Sequence, residues 1–374
     1  ANGEVIETSR LSKRDLNKKL GLSTFEGEIY RAVDALLEEN QAVLDKMVLS
    51  VTKNSAGYYL DDVKRRDGSI DLTPLFVGSQ GTLGIITEIT METEQFNPIT
   101  TLLMAHFDDL EKAQSAILEL RDLPEMPSAI EMVDGQLLSL VDKINPNLLK
   151  DVVPRPFPKV TLLVEFDNPS ERLQKKMAKK ARKILEHAAA QVQVETEPLK
   201  QEQLWKVRQA SSTAIAHSEG GAKPLPIIED GVVPPERFRE YLEGIYQLFE
   251  RNHLQPAVWG HAGDGNLHVQ PMLDLSQVGD RQRAFRLLDE YYNLVISLGG
   301  TTSGGNGDGR LRAPYLEKLY GPEAYALFAK IKQIFDPYGI LNPGVKMNVN
   351  METIKQQLRS GYSMDHLYDH MPRS

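Results

Sequence analysis

The sequence predicts an α+β protein built mainly on an antiparallel sheet, and two observations carry this prediction. From Ile99 onward, segments with the apolar or alternating pattern of strands are separated by amphipathic helical segments. They occur as strand–helix–strand and then again as strand–helix–strand, an order typical of a ferredoxin-like sheet with helices on one face. The length of 374 residues favours two domains over a single core.

The residues before Asn97-Pro98 follow a different pattern, so this dipeptide marks a plausible boundary. Apolar residues recur at helical spacing after Phe25, and β-branched residues follow a glycine-rich turn at Gly78–Gly84. The predicted elements are half of a hairpin at residues 1–8 with its turn at Asn2-Gly3, a helix at Phe25–Met47 and a strand at Ile85–Met91.

The residues after Pro98 supply the predicted sheet and its helices. Strands are predicted at Thr100–His106, Ser128–Met132, Lys159–Phe166 and Gln191–Glu197. Helices are predicted at Asp108–Leu120, Pro169–Ala190, Pro235–Asn252, Gln277–Leu298 and Pro322–Phe335. The apolar run Pro256–Trp259 reads as one more strand, which ends in several glycines.

Composition excludes several classes of protein. A net charge of -9 and a pI near 5.5 argue against a nucleic-acid surface, which needs clustered Lys and Arg. The absence of cysteine excludes disulfides, a thiol nucleophile and an iron–sulfur cluster held by this chain. No apolar run reaches the length of a membrane span, and we expect a cytoplasmic protein.

The most informative motif is Gly-His-Ala-Gly-Asp-Gly-Asn-Leu-His at Gly260–His268. So many glycines at the end of a strand cost packing and entropy, which a fold accepts for close approach of backbone to a ligand. Two imidazoles on either side of such a turn can converge on a metal or an anionic substrate. The alternative is a hairpin with two solvent-facing histidines.

Two further glycine-rich loops and two cations are candidates for binding. Gly78–Gly84 opens into a strand and lacks the helix of a dinucleotide fingerprint, so it is either a ligand-binding turn or a plain β-turn. A second loop, Thr301–Arg310, follows a predicted helix. Arg208 suits a carboxylate but could equally be a surface residue of a helix, and Lys223 lies on a constrained loop.

Together these motifs resemble the flavin-linked oxidases of the vanillyl-alcohol oxidase type, in particular D-lactate, glycolate and D-2-hydroxyglutarate dehydrogenases. The resemblance is carried, in the same order along the chain, by Lys53–Tyr58, Asp71–Thr87, Leu204–Arg208, Gly260–His268, Gly304–Arg310 and Phe335–Gly344. It implies the second half of an FAD-binding domain at residues 1–97, a substrate domain at 98–346 and a C-terminal tail at 347–374.

The resemblance also implies roles for individual residues. Those that would line the flavin are Gly81, Thr82, Gly84 and Ile85, with Gly57 and Tyr58 nearby and Asn342 at the far edge. Arg208 and Lys223 match carboxylate-binding positions, and Ser212 matches a neighbouring hydroxyl. His261 and His268 match a metal-binding pair that polarises the hydroxyl of a small 2-hydroxy acid, whose electrons pass through FAD to an external acceptor.

Two departures from the family pattern alter the expected chemistry. Where the family has a glutamate ligand and a histidine base, this chain has Gly305 and Asn306. We therefore expect a divalent metal such as zinc or manganese to be held weakly or not at all, and turnover to be strongly reduced. The first flavin-binding half has no counterpart here, so we expect a fragment of a larger polypeptide or a split enzyme.

Three interpretations of these departures stay open at this point. The chain is part of an active dehydrogenase, or it is a degenerate member of the family that serves as a binding or assembly subunit. In the third interpretation, the residues at 305 and 306 were altered in an otherwise active enzyme.

Overall fold

The computed structural model describes residues 3–150, 152–189, 191–216 and 222–358; the side chains of residues 210–216 and Lys223 lie outside the description. The described α-helices are α1 Lys13–Leu20, α2 Phe25–Glu39, α3 Gln41–Leu44, α4 Thr73–Phe76, α5 Leu110–Arg121, α6 Gly135–Ile144, α7 Glu171–Ala188, α8 Pro198–Ala216, α9 Phe238–Arg251, α10 Val278–Ser297, α11 Leu316–Phe335 and α12 Met351–Gln357. The strands are β1 Thr101–Phe107, β2 Ala129–Asp134, β3 Val160–Phe166, β4 Gln191–Glu195, β5 Lys223–Pro224, β6 Glu229–Val232, β7 Pro256–His261 and β8 Asn266–Leu273. Short 3-10 turns lie at Pro235–Arg237, Ala262–Asp264 and Ala313–Tyr315.

The strands of the described residues form one sheet in the order β4-β1-β3-β2-β7-β8-β5, and β6 also pairs with β8. Every one of these pairings is antiparallel. The predicted α+β class and antiparallel sheet are confirmed. The first four strands and the helices α5 and α7 between them form the predicted ferredoxin-like unit, and β7 extends its β2 edge.

Helices cover both faces of this sheet, so the prediction of helices on one face is wrong. One face packs against α5, α7, α9 and α10 through residues such as Leu103 and Leu162. The other packs against α6 and α8 through Leu102, Leu163 and Trp259. The reason is visible in the strands: β1 is buried at every position, so its two alternating faces both need cover.

The N-terminal residues form a second core with α11 and Met347. α2 packs against α11, and fully buried aromatic residues, among them Tyr30 and Phe328, fill the space between them. The predicted helix at Phe25–Met47 is interrupted at Asn40, which separates α2 from α3 and donates to the Leu36 carbonyl. In α11, Gly321 has a φ of 83°, so regular helix begins at Pro322, where it was predicted.

Two predicted elements of this region are wrong. Residues 3–10 form no strand, and Asn2 of the predicted turn lies outside the described residues. The predicted strand Ile85–Met91 is irregular chain: Ile85 is 85% exposed and Met91 77%. Its alternating pattern is that of a strand, but no described segment supplies the hydrogen-bonding partner that a strand needs.

Asp134 gives the stability of the sheet a distinctive pH dependence. It caps α6 and is wholly buried, and this burial raises its pKa from 3.8 to about 7 despite hydrogen bonds from Leu137, Val258 and Tyr246. Between these two values the unfolded chain has lost the proton that the folded chain still holds. The contribution of Asp134 to stability is therefore fully present at low pH and is lost as pH rises toward the folded pKa, by at most about 1.4 kcal/mol per pH unit.

We expect Asp134→Asn to flatten the pH dependence of the free energy of unfolding, measured with urea from about pH 5 to about pH 8. The asparagine keeps the cap and the contact to Tyr246 but cannot ionise. The matched control is Asp109→Asn, which replaces the exposed cap of α5. An unchanged slope in the Asp134 variant would contradict the assignment.

Candidate active site

Two histidines share one face of the sheet, on either side of a tight turn. In the antiparallel pair of β7 and β8, Trp259 lies opposite His268. Residues directly opposite each other, or two apart along one strand, point to the same face. His261 and His268 are therefore on one face, and their ring centroids lie 5.7 Å apart. The side chain of His268 is only 18% exposed, which argues against a pair of solvent-facing histidines.

Glu131 joins one of these histidines to an arginine. On β2 it lies directly opposite His261 of β7. Its Oε1 lies 2.5 Å from His261 Nδ1, and its Oε2 accepts a hydrogen bond from Arg208 Nε at 2.7 Å. Burial would raise the pKa of Glu131, but the hydrogen bond and charge of His261 and the charge of Arg208 outweigh it and hold this pKa below its usual value. Glu131 is therefore ionised at neutral pH.

A second carboxylate stands beside the other histidine. Glu229 of β6 lies opposite His268, with its Oε2 3.8 Å from His268 Nδ1. Its Oε1 pairs with Arg312 NH2 at 3.4 Å, and Arg312 Nε donates to the Tyr292 hydroxyl at 3.1 Å. Each histidine thus has a glutamate neighbour that also contacts an arginine. We call these two groups of residues the Arg208 set and the Arg312 set.

The structure gathers three of the predicted substrate residues on this face. Arg208 reaches it from α8, and His261 and His268 lie on its strands. Ser212 falls within α8 and Lys223 within β5, but their side chains lie outside the described residues. Their predicted contact with a carboxylate stays a prediction.

The loop that carries Gly305 and Asn306 is fixed by a buried carboxylate. Asp230 is 1% exposed and has a φ of 66°. Its Oδ1 accepts from the amide of Gly305 at 3.1 Å, and its Oδ2 accepts from the amide of Asn306 at 2.8 Å. Successive amides of this kind form an anion-binding nest, and here the anion is the protein's own carboxylate. Because Asp230 follows Glu229, the loop lies beside the Arg312 set.

The described residues do not fit a catalytic metal. Among them, no group of three or more His, Cys, Asp or Glu is arranged as metal ligands. Catalytic zinc sites have three protein ligands, and Gly305 offers none where the family has its acidic one. There is room for a side chain at this position, since a Cβ on Gly305 would meet no heavy atom within 4 Å.

The glycine-rich turn at Gly78–Gly84 lies against the same loop. Gln80 accepts a hydrogen bond from the amide of Gly309 at 2.9 Å, and Asn342 Nδ2 donates to the Gln80 carbonyl at 2.6 Å. Gly307 is required here, since its φ is 73° and a Cβ would lie 2.9 Å from the Gln80 side chain. The turn is therefore held between the 303–310 loop and Asn342, which follows α11.

The residues of this turn suit a flat ring on the side that faces away from the core. Gly81 is exposed, with a φ of 73°, and Ile85 is 85% exposed beyond Gly84. On the inner side, the hydroxyls of Tyr58 and Thr82 lie 2.7 Å apart in the core, which leaves the backbone and Ile85 as the accessible parts. That these positions line a flavin stays a prediction. The exposure of Gly81 and Ile85 is compatible with it, whereas the side chains of Tyr58 and Thr82 are buried.

A fully buried ion pair ties the N-terminal region to the same loop. Asp308 Oδ2 lies 2.7 Å from Lys346 Nζ, and both side chains are completely inaccessible. The same oxygen accepts from the amide of Gly57 at 2.8 Å, so Gly57 has a structural role. Gly57 must lack a side chain, because a Cβ would lie 2.4 Å from the ring of Phe328. Burial raises the pKa of Asp308 even though Lys346 acts against this.

Sequence reasoning missed the carboxylates that organise this site. Glu131 lies within the apolar run Ala129–Asp134, and the pair Glu229-Asp230 follows the apolar residues Ile227 and Ile228. Acidic residues are rarely buried without a partner. An acidic residue inside an apolar strand pattern is therefore the sequence signal that indicates a buried, paired carboxylate. The sequence could not reveal which histidine or arginine each of them meets.

A family model for FAD linked oxidases, C-terminal domain, matches residues 97–345. The D-2-hydroxyglutarate dehydrogenase of Haemophilus influenzae is 29% identical over 92% of this chain and 35% of its own length. The glycolate oxidase subunit GlcD of Bacillus subtilis is 31% identical over 73% of this chain and 56% of its own length. The chain therefore spans about a third to a half of the length of these relatives.

Solved structures show the same fold at much lower identity. The 4-ethylphenol oxidase from Gulosibacter chungangensis superposes with a TM-score of 0.50, covering 70% of this chain and 56% of that one, at 14% identity. P-cresol methylhydroxylase also superposes with a TM-score of 0.50, at 13% identity, covering 68% of this chain and 54% of that one. Among the described residues, no helix combines the length and the apolar character that a membrane span requires.

We expect Lys346→Met to lower the free energy of unfolding by about 3–5 kcal/mol, because it leaves the Asp308 carboxylate buried and unpaired. The double variant Asp308→Asn/Lys346→Met should recover part of this loss in urea unfolding. The control Lys355→Met removes an exposed ion pair with Glu352 and should change little. Equal effects of Lys346→Met and Lys355→Met would refute the role of the buried pair.

Proposed function

Because the chain belongs to the family of FAD linked oxidases that share this C-terminal domain, we propose that it is part of an FAD-dependent dehydrogenase. The proposed reaction converts a D-2-hydroxy acid of the lactate, glycolate or 2-hydroxyglutarate type to the 2-oxo acid. Electrons would pass to an external acceptor. The relatives named D-2-hydroxyglutarate dehydrogenase, glycolate oxidase subunit and D-lactate dehydrogenase support this substrate class.

One observation carries the proposal: a cationic side chain and two imidazoles meet on one face of the sheet. Arg208 and His261 contact the same carboxylate, and the His268 ring lies 5.7 Å from that of His261. A 2-hydroxy acid offers a carboxylate and, on the next carbon, a hydroxyl. Arg208 suits the first group, and an imidazole suits the second.

Oxidation removes a hydride from C2 and a proton from the hydroxyl. FAD, when bound, supplies the hydride acceptor. In this chain Arg208, together with Lys223, would bind the substrate carboxylate and orient C2. His261 and His268 are the imidazoles that the described residues place on this face, and imidazole is the side chain that most often accepts a proton in general-base catalysis.

A binding or assembly role without turnover is the second candidate, and Gly305 and Asn306 favour it. Glycine supplies no ligand, and an amide cannot act as a base near neutral pH. Both residues are exposed beside the Arg312 set, so the lack of a ligand and of a base at these two positions affects the site directly. The two candidates differ in whether the unaltered chain oxidises any 2-hydroxy acid.

We expect the double variant Gly305→Glu/Asn306→His to bind about one zinc or manganese ion per chain, because it restores the third ligand. The rate of oxidation of D-lactate, glycolate or D-2-hydroxyglutarate, assayed with a dye acceptor and excess FAD, should rise together with the metal content. Metal content and turnover are compared with Gly305→Gln/Asn306→His, which has the same size but no carboxylate. The proposal fails if the glutamate variant gains neither metal nor turnover.

We also propose that a flavin-binding half outside this sequence covers the exposed segment Ile85–Met91. This segment has the alternating pattern of a strand but has no strand partner among the described residues. The relatives extend well beyond the part that this chain matches. Pairing with that half would satisfy the backbone of the segment and cover its apolar side chains.

The isolated 374-residue chain should therefore hold FAD at far below one equivalent after gel filtration, since contacts to the pyrophosphate would be missing. The visible absorbance spectrum of the purified chain, with flavin quantified against protein, measures this directly. A stoichiometric flavin spectrum would refute the proposed division.

A further inference from the structure

We propose that Glu131 is the positioning residue of this site and sets the geometry between Arg208 and His261. The inference rests on the proposed function, since it concerns how an acid substrate is bound. Its carboxylate contacts His261 Nδ1 with one oxygen and Arg208 Nε with the other, at 2.5 and 2.7 Å. A single planar group therefore sets the spacing between the imidazole and the guanidinium.

This spacing matters because the two groups of a 2-hydroxy acid lie on adjacent carbons. A guanidinium for the carboxylate and an imidazole for the hydroxyl must keep a fixed separation, and a misplacement of about 1 Å can cost a hundredfold in rate. Arg208 comes from a helix and His261 from a strand, so no local backbone geometry links them. Glu131 supplies the link, and its own place is fixed by the pairing of β2 with β7.

Glu131 also selects the tautomer of His261. An ionised carboxylate only accepts hydrogen bonds, so Nδ1 must carry the proton that it donates to Glu131. In the neutral imidazole, Nε2 then keeps its lone pair and is the atom available to accept the substrate hydroxyl. The separation of 3.8 Å between Glu229 and His268 is too long for a hydrogen bond, so the tautomer of His268 is less tightly fixed.

The chain offers a matched control for substitution of Glu131. Glu165, on the adjacent strand β3, accepts a hydrogen bond from Trp205 of the same helix α8 at 3.2 Å. It is half-buried between α8 and the sheet, and its side chain accepts its hydrogen bond from Trp205 rather than from an arginine or a histidine. Glu165→Gln therefore reports the general effect of neutralising a carboxylate between this helix and the sheet.

The substitution Glu131→Gln is expected to change which ring nitrogen of His261 carries the proton. Arg208 only donates, so it keeps the amide oxygen of the glutamine. The amide nitrogen then donates to His261 Nδ1, which must lose its proton, and the tautomer reverses to Nε2–H. Nitrogen-15 NMR of the isolated chain, at a pH where the imidazoles are neutral, reads this tautomer without flavin or turnover.

We expect the Nδ1–H tautomer of His261 in the unaltered chain, its reversal in Glu131→Gln, and its retention in Glu131→Asp and Glu165→Gln. Calorimetric binding of D-lactate, glycolate and D-2-hydroxyglutarate gives the second measurement. The Kd of whichever acid binds should rise by about tenfold or more in Glu131→Gln, partly recover in Glu131→Asp, and stay unchanged in Glu165→Gln.

The outcomes separate this inference from the proposed function. An Nε2–H tautomer in the unaltered chain, or equal effects of Glu131→Gln and Glu165→Gln, overturns the role of Glu131 even if a 2-hydroxy acid binds. Reversal of the tautomer in Glu131→Gln, with no binding of any of the three acids to the unaltered chain, supports the positioning role while the proposed substrate class fails.

Discussion

The loop at residues 303–308 is held between two buried carboxylates, and the rest of the site depends on this arrangement. Asp230 collects amides at the start of the loop, and Asp308 reaches from its end to Lys346 and the amide of Gly57. A buried carboxylate that loses its donors costs several kcal/mol, so neither end of the loop can shift alone. The loop therefore contacts the N-terminal core, the sheet and the turn at Gly78–Gly84.

On the sheet, the pairing of strands places the two histidines beside acidic side chains. Antiparallel pairing sets Glu131 opposite His261, and Glu229 opposite His268. Each histidine therefore has an acidic neighbour by virtue of strand register alone. Arg208 is added by the packing of α8 on that face, where it pairs with Glu131.

Local patterns predicted the parts of the chain that contain their own signal. The helix after Ser170 and the kinked helix with regular turns from Pro322 follow from capping, spacing and proline chemistry within a few residues. The segment Ile85–Met91 shows the limit of such reasoning. Alternation predicts a strand, but a strand exists only where a partner accepts its hydrogen bonds, and no described segment does so.

The sequence by itself determined the family, the antiparallel α+β class, and the absence of an acidic ligand and a histidine base at Gly305 and Asn306. These follow from residue identity and order alone. Only the tertiary structure decided that Glu131 joins Arg208 to His261, and that helices cover both faces of the sheet. In the sequence, Glu131 is separated by 77 positions from Arg208 and by 130 positions from His261. Contacts over such separations depend on strand register and helix packing, which no short stretch of sequence encodes.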